Sequence, residues 1–268
     1  MRKSICARGG VSAATDGTSG TELWVSTGTA VGTVLLQDVN AGAASASPVF
    51  LGYLRTNGVT DSSKAMFTLS DGSSGREIWV TDGTTGGTAQ LEDINPGSGS
   101  SDASAWFSVN GHAVFTANDG SNGRELWVSD GTGATTSLLL DAASGLAGSD
   151  PEILGYLLVN GQADTTRLLV SLDNITNGRE LWVTDGTTVG TVLFKDLDSG
   201  SASSAPGPWT FTNGYGMFVA TTATSGTELW RSNGTAIGTL LVLDARPGAA
   251  SSSPEILGPL LVAGVADS

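Results

Sequence analysis

The sequence predicts an all-β protein, a five-bladed β-propeller whose blades are four-stranded antiparallel sheets. Three observations carry that prediction. One phrase recurs five times, as Gly20-Thr-Glu-Leu-Trp24, Gly75-Arg-Glu-Ile-Trp79, Gly123-Arg-Glu-Leu-Trp127, Gly178-Arg-Glu-Leu-Trp182 and Gly226-Thr-Glu-Leu-Trp230. Its tryptophans lie 55, 48, 55 and 48 residues apart, a period typical of propellers and solenoids. Each period also holds four short apolar runs separated by turn residues, the pattern of one blade.

The first strand of a unit follows a Ser-rich loop, as in Pro151-Glu-Ile-Leu-Gly-Tyr-Leu-Leu-Val159. Asn-Gly then marks a tight hairpin (Asn57-Gly58, Asn110-Gly111, Asn160-Gly161, Asn213-Gly214), because both residues tolerate positive φ. The second strand resembles Ala113-Val-Phe-Thr-Ala117, and the first unit has a weak version in Val11-Ser-Ala-Ala14. The third strand carries Glu-Leu-Trp. A turn reading Asp-Gly-Thr follows it at Asp82, Asp130 and Asp185, with Thr27 and Asn233 in the other two units. The fourth strand is like Thr191-Val-Leu-Phe194, and an Asp recurs at its end (Asp38, Asp93, Asp141, Asp196, Asp244).

The alternation in length has one source. Long units extend the first hairpin through Asn57-Gly-Val-Thr-Asp-Ser-Ser-Lys64 and Asn160-Gly-Gln-Ala-Asp-Thr-Thr-Arg167, whereas short units turn at once, as in Asn110-Gly-His-Ala-Val114. Three long and two short periods span 261 residues, the stretch from Arg8 to Ser268. The frame is shifted so that the first strand of the first unit falls at the C-terminus, where it would close a ring and remove open sheet edges. The expected organisation is therefore an N-terminal extension, residues 1–9, and one propeller domain, residues 10–268, closed by the C-terminal strand.

Bulk composition narrows the function classes. With 12 basic and 26 acidic residues the formal charge is −14, a field that repels phosphate backbones and anionic lipid. Nucleic acid is not an expected partner. No apolar run of 18 residues exists, so membrane insertion is not expected either. Cys6 is the only cysteine, which rules out an intramolecular disulfide. The segment Met1-Arg-Lys-Ser-Ile-Cys-Ala-Arg8 is basic but has no apolar stretch, so it does not read as an export signal.

The phrase Glu180-Leu-Trp-Val-Thr-Asp-Gly-Thr187, followed by Gly190-Thr191 and an Asp-containing strand end, resembles the bacterial ELWxxDGT repeat family over residues 10–268. Thr27, Asn233, Ile78 and Thr135 depart from its pattern. The resemblance implies a large exported or cell-surface bacterial protein, and it implies no established activity.

Several constellations invite a chemical reading, and each has a plainer one. The five Trp residues could stack on sugars, but strict recurrence inside an apolar strand fits wedges packed between sheets. The five Glu residues two before each Trp lie on its strand face. Catalysis needs two carboxyls in different environments, and five equivalent ones fit acceptors for backbone N–H groups of a nearby turn. The Asp-Gly-Thr turn is explained by a side chain closing a tight turn with Gly at positive φ. Calcium is the one cofactor the oxygen-rich loops would accommodate, with Asp196-Leu-Asp198-Ser-Gly200 the nearest approach to a binding loop. His112 has no partner histidine, and Lys64, His112, Arg167, Lys195, Arg231 and Arg246 form no catalytic set.

The expected function is a non-enzymatic binding or scaffold module of an exported bacterial protein, extracellular or at the cell surface, with a glycan or cell-surface protein as partner. The competing class is a glycan-directed enzyme, such as a sialidase-like hydrolase or a lyase. No catalytic, cofactor or metal residue is assigned. The candidate contact residues are those that long units have and short units lack: Asp61, Ser62, Ser63 and Lys64, and Asp164, Thr165, Thr166 and Arg167. Projecting loops on a rigid scaffold are where recognition concentrates.

Overall fold

The computed structural model describes residues 9–56, 59–159, 161–257, 261–262 and 265–266. Among them the regular structure is strand, apart from two three-residue 3-10 turns. The first sheet has three strands, β1 (Gly10–Thr15), β2 (Thr21–Ser26) and β3 (Thr33–Gln37). The second has β4 (Val49–Thr56), β5 (Val59–Ser70), β6 (Arg76–Thr81) and β7 (Ala89–Glu92). The third has β8 (Ser104–Val109), β9 (His112–Asn118), β10 (Arg124–Ser129) and β11 (Ser137–Leu140). The fourth has β12 (Glu152–Val159), β13 (Gln162–Asn174), β14 (Gly178–Thr184) and β15 (Val192–Lys195). The fifth has β16 (Thr210–Thr212), β17 (Tyr215–Thr222), β18 (Gly226–Ser232) and β19 (Leu240–Leu243), and β20 (Leu261–Val262) pairs with β21 (Val265–Ala266). Every sheet is an antiparallel meander in chain order.

The chain divides into two compact units, Met1–Leu138 and Leu139–Ser268, with the division inside β11. Each unit is held by the same interface. Side chains alternate along a strand, so the residues flanking the motif Trp point to one face of the sheet and the Trp to the other. In the first unit Leu23, Val25 and Leu36 pack with Phe67 and Trp79, and Met66, Ile78 and Leu91 pack with Phe115 and Trp127. In the second, Leu157, Leu181 and Val183 pack with Phe218 and Trp230. The rule is the same each time: the aliphatic face of one sheet meets the aromatic face of the next.

The tryptophans behave as wedges. Trp79, Trp127 and Trp230 are each 8% exposed, while Trp24 and Trp182 are half-buried. Trp106 stacks on Phe115 with ring centroids 5.5 Å apart, and Trp209 joins the core of the second unit. In the first sheet Ser12 stands opposite Trp24, where Phe67, Phe115 and Phe218 face the corresponding Trp. β1 forms despite that weak sequence, because β2 supplies its full hydrogen-bond ladder.

The motif glycine is required twice over. Gly75 has φ of +70°, and a Cβ on it would fall 1.8 Å from the Gly99 carbonyl oxygen. A side chain would therefore strike the backbone of the loop leading to the next sheet. The residue after it acts on a loop of its own sheet. The Arg76 guanidinium donates to the carbonyls of Ser47 (2.8 Å) and Thr68 (3.1 Å), and Arg179 donates to those of Asp150 (2.7 Å) and Ser149 (3.2 Å).

The short hairpin turns at Asn110 (φ 49°) and Gly111 (φ 84°), both in the left-handed region as the Asn-Gly signal requires. The closing strand expected over 254–263 lies partly outside the described residues, at 258–260 and 263. Of its described part, β20 pairs with β21 as Leu261↔Ala266 and Val262↔Val265. That is the register of the second sheet's hairpin tip, Arg55↔Thr60 and Thr56↔Val59.

Candidate functional site

The recurrent acids come first, since they would carry any chemistry. Glu22, Glu77, Glu125, Glu180 and Glu228 are all buried. Glu77 accepts the N–H groups of Ile94 (3.0 Å) and Ser101 (2.8 Å). Glu22 does the same with Val39 (2.9 Å) and Ala46 (2.8 Å), and Glu180 with Leu197 (2.8 Å) and Ser204 (2.9 Å). Glu228 accepts from Ala245 (3.3 Å) and Ser252 (2.7 Å). Each of these four carboxylates thus pins both ends of the loop that leaves its own sheet, as expected of a structural acceptor.

Burial pushes the Glu77 carboxyl up to about 7, against the hydrogen bonds from Ser101 and Ile94. Burial also raises Glu180, and the nearby Asp196 charge adds to the rise. Glu228 goes the other way, because the Ser252 hydroxyl donates to its carboxylate at 2.5 Å.

The Asp-Gly-Thr turns are closed on themselves. Asp185 Oδ1 accepts from the N–H (2.8 Å) and hydroxyl (2.6 Å) of Thr187, and Asn233 plays the same part toward Thr235 at 3.1 and 2.8 Å. Beneath each turn the two sides of the hairpin share a hydroxyl pair: Ser26 with Thr33, Thr81 with Thr88, Ser129 with Thr136, Thr184 with Thr191, and Ser232 with Thr239, all at 2.6–2.8 Å.

A second family of aspartates, eight residues before the Trp, escaped the sequence reading. Asp16 Oδ1 accepts the N–H groups of Thr18 and Ser19, both at 2.8 Å, and Asp71 and Asp119 repeat the arrangement. The Ser19 and Thr18 donors lower the Asp16 carboxyl to about 2. The available signal was an Asp-Gly opening each of these turns, masked by its loss in the fourth and fifth units.

The candidate contact residues lie on the extended hairpins. In the fourth sheet the pairing runs Tyr156↔Leu168 and then Leu157↔Asp164, so Thr165, Thr166 and Arg167 form a three-residue bulge. The second sheet has the same step between Tyr53↔Ala65 and Leu54↔Asp61, which places Ser62, Ser63 and Lys64 in its bulge. Lys64 is exposed; the side chains of Asp61, Ser62 and Ser63 lie outside the described residues. Asp164 holds its bulge together by accepting from the Thr166 N–H (3.0 Å) and hydroxyl (2.5 Å) and from Arg167 Nε (2.7 Å). Those partners hold its carboxyl below the usual range despite partial burial. The extension is thus a stiffened arm and not a loose loop.

Neither residue of the nearest calcium-like sequence is free of protein partners. Asp196 accepts from Asn177 Nδ2 at 3.1 Å and Asp198 from the Ala223 N–H at 3.0 Å. Among the described residues, no three His, Cys, Asp or Glu side chains stand close enough together to hold a metal ion. No helix among them is long and apolar enough to cross a membrane. Arg231 lies over the Tyr215 ring, 4.6 Å from its centroid.

One pocket, of about 460 Å³, opens in the first unit between the β2–β3 hairpin and the turn after β6. Val25, Val34 and Leu36 form its apolar wall, and Thr27, Thr84 and Thr85 bring hydroxyl-bearing side chains to it. In the sequence Thr27 stands out only as a departure in the Asp slot.

No protein-family model matches the chain, and no curated protein does. Among solved structures it is similar to the computationally designed Ika8 protein, at 17% identity and a TM-score of 0.40, over 90% of this chain and 60% of that one. It is also similar to a prolyl endopeptidase (14%, TM-score 0.44, over 87% of this chain and 32% of that one). A puromycin hydrolase compares at 13% and 0.43, over 90% and 35%. The chain therefore spans about 60% of the first and about a third of the two hydrolases, and similarity this low carries no functional argument.

Proposed function

We propose that this chain is a five-bladed β-propeller serving as a non-enzymatic binding or scaffold module of an exported bacterial protein, with a glycan or cell-surface protein as its partner. The observation that supports the reading is the engagement of the recurrent polar groups. Buried glutamates hold backbone N–H groups, and turn aspartates hold Thr and Ser donors, so the repeated chemistry goes into building sheets and turns. What differs between units is the bulged extension of the first hairpin, closed by Asp164 in the fourth sheet and ending at Lys64 in the second. The reading requires no cofactor.

In this reading the five sheets are five blades of a single domain. The repeated interface of aliphatic face on aromatic face supports it, since it recurs between the first and second, the second and third, and the fourth and fifth sheets. The test is to shorten both arms to Asn-Gly turns, as the short units have, and to screen the product against glycan arrays and bacterial cell surfaces. The expected result is lost binding with an unchanged melting temperature. Unaltered binding would remove the arms from the site, and turnover of an array glycan would establish the enzymatic class instead.

A further inference from the structure

We propose that the pocket between β3 and the turn after β6 binds a neutral small molecule through a branched alkyl or single aromatic ring. Its volume, about 460 Å³, lies within the ~300–1,000 Å³ of small-molecule sites. The wall is aliphatic and no charged side chain lines it. That neutrality has an identifiable origin. The slot three residues after the motif Trp holds Asp82, Asp130, Asp185 or Asn233 elsewhere, but Thr27 in the unit that lines the pocket. A protein of charge −14 thus carries no acid at the turn that opens onto this apolar space.

The pocket is preformed by contacts across its floor. Thr85 Oγ1 donates to the Leu36 carbonyl at 2.8 Å and ties the second sheet's turn to β3. The hairpin beside it is fixed by the Ser26–Thr33 hydroxyl pair at 2.7 Å and by the Thr27 N–H donating to the Gly32 carbonyl at 3.0 Å. A site held this way binds without ordering a loop, which keeps the entropic cost low. The mouth is apolar as well, with Val31 93% and Val34 49% exposed. A charged ligand would lose water to that rim without finding an opposite charge in the lining, whereas an alkyl or aryl group gains burial against Val25, Val34 and Leu36.

Variation between units supplies the substitutions for the test. Leu36→Phe copies Phe194 of the fourth sheet and fills the pocket, and Thr27→Asp copies Asp82 and charges it. The test titrates toluene, and separately sodium benzoate, into the full chain and follows Val and Leu methyl signals by NMR. Saturable toluene shifts confined to Val25, Val31, Val34, Leu35 and Leu36 are expected, with benzoate at least tenfold weaker. Thr27→Asp should melt like the parent, and both variants should weaken toluene at least tenfold. The proposal is overturned by shifts that do not saturate, by shifts centred on other methyls, or by variants that melt normally and bind toluene as the parent does. Equal binding of benzoate would overturn the assignment to neutral ligands.

Discussion

Ser204 gives Glu180 both its backbone N–H, at 2.9 Å, and its hydroxyl, at 2.6 Å, across 24 residues of chain. The pair fastens the loop leaving one sheet to the third strand of that same sheet. Glu228 and Ser252 repeat it, with the hydroxyl at 2.5 Å. Glu77→Ala should cost about 3–5 kcal/mol, because two buried N–H donors lose their acceptor together. Urea denaturation checks this, and a loss below about 1 kcal/mol would show that water reaches the loop.

Stability should fall as pH rises toward neutrality. Glu77 titrates near 4.5 when unfolded and near 7 in the fold, so the native chain holds that proton more tightly. Its contribution, roughly 3 kcal/mol, is complete below pH 4.5 and lost as pH climbs through 7. Glu180 acts in the same direction. Asp16 opposes at the acid end, where its support is lost as pH falls from 3.8 through about 2. Melting temperature should therefore peak near pH 4–5, and Glu77→Gln should flatten the limb above the peak.

Trp127→Ala should cost about 3–5 kcal/mol through lost burial and the cavity left among Met66, Ile78 and Phe115. Binding in a glycan screen should not change at temperatures where the variant stays folded. A variant that melted normally but lost glycan binding would reverse the assignment of this residue to packing.

Gly75→Ala should destabilise by more than about 3 kcal/mol. The new Cβ meets the Gly99 carbonyl backbone as well as an unfavourable φ of +70°. Gly97→Ala is the control, having positive φ (+90°) but open space, and should cost only about 1 kcal/mol. Equal losses in the two would mean that the loop yields.

Asp164→Ala should cost less than about 1 kcal/mol, because the Arg167 partner is 42% exposed and solvent screens the pair. The readout that should move is local: amide exchange at Thr166, whose N–H loses its acceptor.

The sequence by itself determined the strands, their meander and the use of the motif. Period-2 alternation around Leu-Trp-Val sends the Trp to one face and its neighbours to the other, and Asn110-Gly111 fixes its turn because few other pairs accept two positive φ values. The role of Glu77 as an acceptor for a nearby turn was legible too, since an acid recurring at one slot of every unit fits one shared structural use. Tertiary structure alone decided the rest. Which loop N–H groups reach Glu77, and how far burial lifts its carboxyl, depends on residues 17 and 24 positions away. Whether Asp164 to Arg167 form a loose loop or a bulge depends on the register of β12 against β13, which local residues do not encode. The pocket beside Thr27 exists only because two sheets meet there: one substitution reads as noise in a repeat until the facing wall is known.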